Sequence, residues 1–368
     1  LNQRGAHRDL LVRGRRQRQM CIRDSLTVPQ AAMLAGMVQS SEYLNPYTNE
    51  EGVLERRNVV LQAMVDTGSL SQEDADAYAQ EPLGVLDSPA TLPNGCIGAG
   101  DRGFFCDYVM DYLADNGIDR EHLARGGLTV KTTLDPDVQD QALNAVRSHT
   151  APDTEGVAEV MNVIKPGTDS RKVLAMVSSR TYGLDLANNE TLLPQPNSLV
   201  GNGAGSVFKL FTAAAALESG YGIKDKLAVP KRYEAEGLGF GGAENCPPNK
   251  YCVENAGSYA STMTMQDTLA YSPNTPFIQL TEQLGVERIV DIAVKLGLRS
   301  YEEPGSYDGE SSIADHIKDS NLGSFTLGPT AVNALELSNV GATVASEGMW
   351  CEPNPIEAVS YTHLPAHE

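Results

Sequence analysis

Hydrophobic and polar residues alternate one by one in GGLTVKTTL (126–134), the two-residue period of a half-buried strand. Asp135 and Pro136 then open a helix that runs to about Ser148. Two further apolar runs, AEVMNVI and KVLAMVSS, are separated by the polar stretch KPGTDSR, so they read as antiparallel strands joined by a turn. Two strands alone are marginal, and other strands must join them. Before this region the pattern is helical. LTVPQAAMLAGMVQS begins with Thr27 as N-cap, Pro29 in the first turn and Gln30 at the capping-box position. A second helix is expected from Glu50 to Asp66, and a third from Ser71, whose S-x-x-D reaches Asp74. After the strands, helices are expected within GAGSVFKLFTAAAALESG (203–220) and at about 263–270, 275–284 and 286–296. The whole reads as a mixed α/β (α+β) domain preceded by a small all-helical piece.

Composition narrows the class. The 368 residues are 41% hydrophobic and carry a net charge of -20, which disfavours nucleic acid or an anionic membrane surface as a partner. No apolar run approaches the roughly 18–20 residues of a membrane helix. Residues 1–24 stand apart with seven Arg and two Asp. Together with the closing VSYTHLPAHE they read as non-native ends, the rival reading being a native basic arm. Cys96 and Cys106 bracket one short loop and Cys246 and Cys252 another, CPPNKYC. This spacing fits two disulfides, Cys96–Cys106 and Cys246–Cys252, in an oxidising compartment, with Cys351 left free; the rival reading is four reduced thiols. There is no C-x-x-C or H-E-x-x-H to suggest a metal site.

The candidate chemistry lies in GAGSVFK and YSPN. On a helix Ser206 and Lys209 share a face, and burial of Lys209 at the helix start would favour the neutral amine that a serine nucleophile needs as its base. Taken alone, one S-x-x-K in a chain of this length is also what an ordinary helix start provides. Ser272-Pro273-Asn274 is an S-x-N on a loop between two expected helices, either a proton relay with a substrate-holding amide or a plain turn. The two together, in this order, are the active-site pattern of penicillin-binding proteins and serine β-lactamases.

Residues 26 to about 358 resemble a bifunctional class A penicillin-binding protein of the actinobacterial kind. The resemblance rests on LTVPQAAMLAGMVQSSEYLNPYTNEEGVLERRNVVLQAMVDTGSLSQEDADAY, RGGLTVKTTLDPDVQDQAL, KVLAMVSSRTYGLD, GAGSVFKLFTAAAALE, AYSPNTPF and GSFTLGPTAVNALELSNVGATVASEGMW, in family order. It implies closing helices of a peptidoglycan glycosyltransferase domain at 25–82, a linker at 83–125, and a transpeptidase domain with an incomplete antiparallel sheet at 126–358, with 1–24 and 359–368 as non-native ends. It implies that Ser206 is acylated by peptidoglycan stem peptides or β-lactams, with Lys209 as base and Ser272 and Asn274 completing the proton path and substrate grip. No cofactor is implied for the transpeptidase, a divalent cation only for glycosyltransferase portions. The implied partners are stem peptides, lipid II-derived glycan and the cell-wall synthesis machinery, at the outer face of the cytoplasmic membrane, with an N-terminal membrane anchor and the glycosyltransferase glutamates upstream. The family's Lys-Thr/Ser-Gly motif does not occur here, and KTT (131–133) precedes Ser206; with the supporting sheet incomplete and its edge exposed, little or no transpeptidase activity is expected of this chain. The alternatives are a D,D-carboxypeptidase or β-lactamase-like hydrolase and a non-turnover penicillin-sensing or scaffold module.

Overall fold

The computed structural model describes residues 26–40, 43–85, 95–124, 126–185 and 188–361. Residues 1–24, read as a basic non-native segment, lie outside these. The chain forms two compact units that divide between Leu92 and Pro93.

The first unit holds helices α1 (Val28–Met37), α2 (Glu50–Asp66) and α3 (Gln72–Ala79). Each starts where a side-chain oxygen satisfies otherwise unpaired N–H groups: Thr27 accepts from Gln30, Asn49 from Gly52, and Ser71 from Asp74. The Gln30 side chain completes the capping box by accepting from the Thr27 amide. Met33, Leu44, Val53 and Leu83 form one small core, and Ala32, Leu61 and Ala75 another. Arg57, 1% exposed, donates to the carbonyls of Ala79 and Glu81 and so closes the C-terminal end of α3.

The second unit begins in the stretch expected as a linker. Residues 95–102 form a 3-10 turn and lead into α4 (Gly103–Asp115), with Cys96 and Cys106 bonded across the junction. Strand β1 (Leu128–Thr132) and helix α5 (Pro136–His149) follow, and Asp135 caps α5 by accepting from the amides of Asp137 and Val138. Strands β2 (Val160–Lys165) and β3 (Arg171–Ser178) pair antiparallel, from Val160 opposite Ser178 to Lys165 opposite Lys172. β3 is almost wholly buried because two helices lie on it. Ala142, Leu143 and Val146 of α5 pack on Ala175 and Val177, while Phe104, Phe105 and Val109 of α4 pack with Val173 and Met176.

Helix α6 (Lys209–Glu218) runs through the centre of the helical part of this unit. One face, with Phe211 and Ala215, packs with Phe325 and with Ile278, Ile289 and Ala293 of helices α7 (Thr275–Leu284) and α8 (Val286–Leu296). The other face sets Ala213 and Ala216 against Phe277, Leu280 and Met265. Alanine suits a helix covered on two sides, since small side chains let neighbours approach closely. Between α6 and α7 the chain forms strands β4 (Arg232–Glu236), β5 (Gly241–Gly242) and β6 (Lys250–Glu254), in the order β4-β6-β5. Helix α9 (Ala334–Ala345) then leads to β7 (Pro353–Asn354), the third strand beside β3, and β8 (Ile356–Tyr361), which pairs antiparallel with β1 from Leu128 opposite Tyr361 onward. Residues 359–361, assigned from sequence to a non-native tail, thus lie inside a strand, and 362–368 are outside the described residues.

Candidate active site

Ser206 stands exposed in a 3-10 turn, Gly205–Phe208, that feeds directly into α6. The turn is held by backbone contacts that only glycines permit. Gly205 has φ +58° and donates its N–H to the Gly328 carbonyl at 3.0 Å. Gly328 has φ +65°, and a Cβ there would lie 2.2 Å from the Gly205 oxygen. Gly203 bridges to Ala331, and a Cβ on it would lie 2.0 Å from the Gly328 oxygen. The serine is therefore fixed at the helix start by a neighbour more than 100 residues away in sequence, beneath which Thr212 and Thr326 share a buried hydroxyl contact of 2.6 Å.

Lys209, three residues on, is 1% exposed. Its Nζ donates to the Ser272 carbonyl at 2.7 Å, to Ser272 Oγ at 2.9 Å and to Asn274 Oδ1 at 2.8 Å, and lies 5.6 Å from the centre of the Phe277 ring. The two sequence motifs meet at this one nitrogen. Sequence spacing put Lys209 beside Ser206; in the structure its ammonium donors go to the S-x-N loop, and the Ser206 hydroxyl makes no hydrogen bond among the described residues. Burial holds the Lys209 pKa down, at about 8.

The three acceptors differ in what they can do when the lysine loses a proton. A neutral amine has two hydrogens and one lone pair. The Ser272 carbonyl can only accept, and the Asn274 amide nitrogen is committed to the Glu254 carbonyl at 2.9 Å, which leaves Oδ1 facing the lysine. Ser272 Oγ is the partner able to turn round and donate to the lone pair, so it couples the protonation state of Lys209 to its own hydroxyl proton. Ser272 has φ +60° at the end of helix 265–271, a left-handed conformation that costs a non-glycine residue about 1 kcal/mol or more and that aims both its oxygens at one point.

Sequence reasoning missed Asn255. Its Oδ1 accepts from the backbone N–H groups of Asn274 at 2.7 Å and Thr275 at 3.0 Å. An Asn after a short strand gives no local signal of such a role. Gly328 was legible only as part of GSFTLGPT. Cys246 and Cys252 are bonded, with Cα atoms 5.6 Å apart, and Cys351 is free. Among the described residues no group of three or more His, Cys, Asp or Glu is placed to hold a metal, and no helix is long and apolar enough to cross a membrane.

Residues 167–368, over half of the chain, match the family described as the penicillin binding protein transpeptidase domain. Penicillin-binding protein 1A of Mycolicibacterium smegmatis is 27% identical over 348 residues, 91% of this chain and 39% of that protein. The chain thus spans about two fifths of the length of that curated relative. Penicillin-binding protein 1A from Haemophilus influenzae shares the fold with a TM-score of 0.60 at 17% identity, over 92% of this chain and 59% of that one. PonA1 from Mycobacterium tuberculosis, solved with penicillin V, does so with a TM-score of 0.52 at 23% identity, over 71% of this chain and 63% of that one.

Proposed function

The chain belongs to the penicillin-binding protein transpeptidase family, and on that premise we propose that it acts through a serine acyl-enzyme on D-alanyl-D-alanine stem peptides of peptidoglycan. Ser206 Oγ attacks the carbonyl of the penultimate D-alanine as its proton passes to neutral Lys209. The backbone N–H of Ser206, at the positive end of α6, stabilises the oxyanion. Collapse breaks the peptide C–N bond, and the proton returns from Lys209 through Ser272 to the departing amine of the terminal D-alanine. An amine from a neighbouring stem then takes the acyl group and releases Ser206. A β-lactam acylates the same oxygen by opening of its ring amide, and its leaving nitrogen stays tethered. The reaction draws on no cofactor.

The observation that carries this reading is the convergence of Ser272 and Asn274, more than 60 residues away in sequence, on the buried Nζ of the lysine that follows Ser206 by one turn. Support comes also from the penicillin V complex of PonA1. The whole protein would work at the outer face of the cytoplasmic membrane, on glycan strands made by a linked glycosyltransferase, alongside other cell-wall synthesis proteins. Fluorescent penicillin tests the proposal. A denaturation-stable band is expected from the purified chain and none from Ser206→Ala. An equal band from Ser206→Ala would sink the assignment, and rapid release of the label would make the protein a hydrolase.

A further inference from the structure

An asparagine at the N-cap of a helix ordinarily turns its side chain onto its own first turn and accepts from the exposed N–H groups there. Asn274 occupies that position on α7 and makes no such bond, because its Oδ1 faces Lys209 and its Nδ2 faces the Glu254 carbonyl. Pro276 offers no N–H there, and the first two amides of α7, which the Asn274 side chain cannot reach, are bound from outside the helix. Asn255, the residue after β6, presents Oδ1 to the amides of both Asn274 and Thr275. Its Nδ2 donates to the Pro230 carbonyl at 2.9 Å and to Thr275 Oγ1 at 3.1 Å, and Thr275 Oγ1 in turn donates to the same carbonyl at 2.8 Å. Both lone-pair directions and both hydrogens of the Asn255 amide are used, so its orientation is fixed without alternatives. β6 sits between β4 and β5 and is tied at Cys252 to Cys246, which makes the platform for Asn255 stiff.

We propose that Asn255 is the positioning residue of the active site: by accepting from the Asn274 and Thr275 amides it anchors the start of α7 and so holds the Asn274 side chain against Lys209. This rests on the acyl-enzyme reading above only for its consequence on rate. Without Asn255 these two N–H groups lose their acceptor, the start of α7 is no longer anchored, and Asn274 Oδ1 loses its fixed place at Lys209. An aspartate at 255 does not substitute, since its second oxygen would face the Pro230 carbonyl that Nδ2 now donates to at 2.9 Å.

Two measurements separate the proposal from the reading beneath it. The first is amide exchange by NMR. Asn255→Ala is expected to speed exchange at Asn274 and Thr275 by about tenfold, with the rest of α7 still protected. The second is the acylation rate with fluorescent penicillin. Asn255→Ala and Asn274→Ala are each expected to slow it about 10- to 100-fold, and the double variant no further than the slower single, because the two act through one contact. Unchanged exchange at 274–275, loss of protection throughout α7, or additive rate losses would each overturn the proposal. If the unaltered chain takes no label while exchange behaves as described, the acyl-enzyme reading falls and the capping role of Asn255 stands.

Discussion

At the scale of single residues, the site is governed by one buried amine. Burial lowers the Lys209 pKa to about 8, from 10.5 for a free lysine. In the proposed mechanism the neutral form is the base, so acylation of Ser206 at limiting penicillin should rise with pH, tenfold per unit, and level off above about 8. A rate independent of pH between 6 and 9 would remove Lys209 from that role. Replacing the lysine itself, as in Lys209→Ala, is expected to reduce acylation by roughly 10²- to 10⁴-fold while the chain still folds, as circular dichroism would show. The same nitrogen explains why Ser272 is a serine: it is the acceptor beside Lys209 that can also donate.

At the scale of elements, the turn that carries Ser206 is shaped by what it rests against. Gly328→Ala places a methyl group 2.2 Å from the Gly205 oxygen at φ +65°, and should destabilise the unit by about 1–3 kcal/mol or more and slow acylation. Gly220→Ala, at φ +98° with open space around it, should cost stability without slowing acylation, and equal rates for the two variants would refute this account of the turn. Helix α9 offers a second element-level test. The Glu336 carboxylate in its first turn accepts from the amide and hydroxyl of Ser300, yet burial pushes its pKa up from 4.5 to about 7. The folded state therefore binds this proton more tightly than the unfolded chain, and stability declines as pH rises from about 4.5 through 7. Thermal melts should show this decline in the native chain and a flatter profile in Glu336→Gln; superimposable profiles would count against it.

At the scale of the whole molecule, two short covalent loops brace the second unit, Cys96–Cys106 where α4 meets its preceding turn and Cys246–Cys252 at the strand that precedes Asn255. The unreduced chain should weigh about 4 Da less than the reduced one, with Cys246 and Cys252 in one crosslinked peptide. Loss of that bridge through Cys246→Ser with Cys252→Ser should cost about 2 kcal/mol in denaturant unfolding, the order expected for so small a loop. Four titratable thiols at these positions in the native chain would contradict the arrangement.

Much of this was legible in the sequence, and the division has a physical cause. The caps at Thr27, Ser71 and Asp135, the helices at 50–66, 275–284 and 286–296, and the pairing of β2 with β3 are written in residues within a few positions of one another, where propensity and period decide. The order S-x-x-K then S-x-N marked Ser206, Lys209, Ser272 and Asn274 for the same reason. Helix α4 was hidden because Arg102 at its start makes no side-chain cap, and its place is settled by packing on β3 and the bridge to Cys96. The third strand beside β3 comes from residues 353–354, and the partner of β1 from 356–361, pairings no local pattern announces. By itself the sequence determined which side chains could do the chemistry. Only the tertiary structure decided that Lys209 points at the S-x-N loop, that Gly328 seats the Ser206 turn and that Asn255 binds the first amides of the helix that begins at Asn274, since each contact joins residues 19 to more than 100 apart whose approach depends on the packed whole.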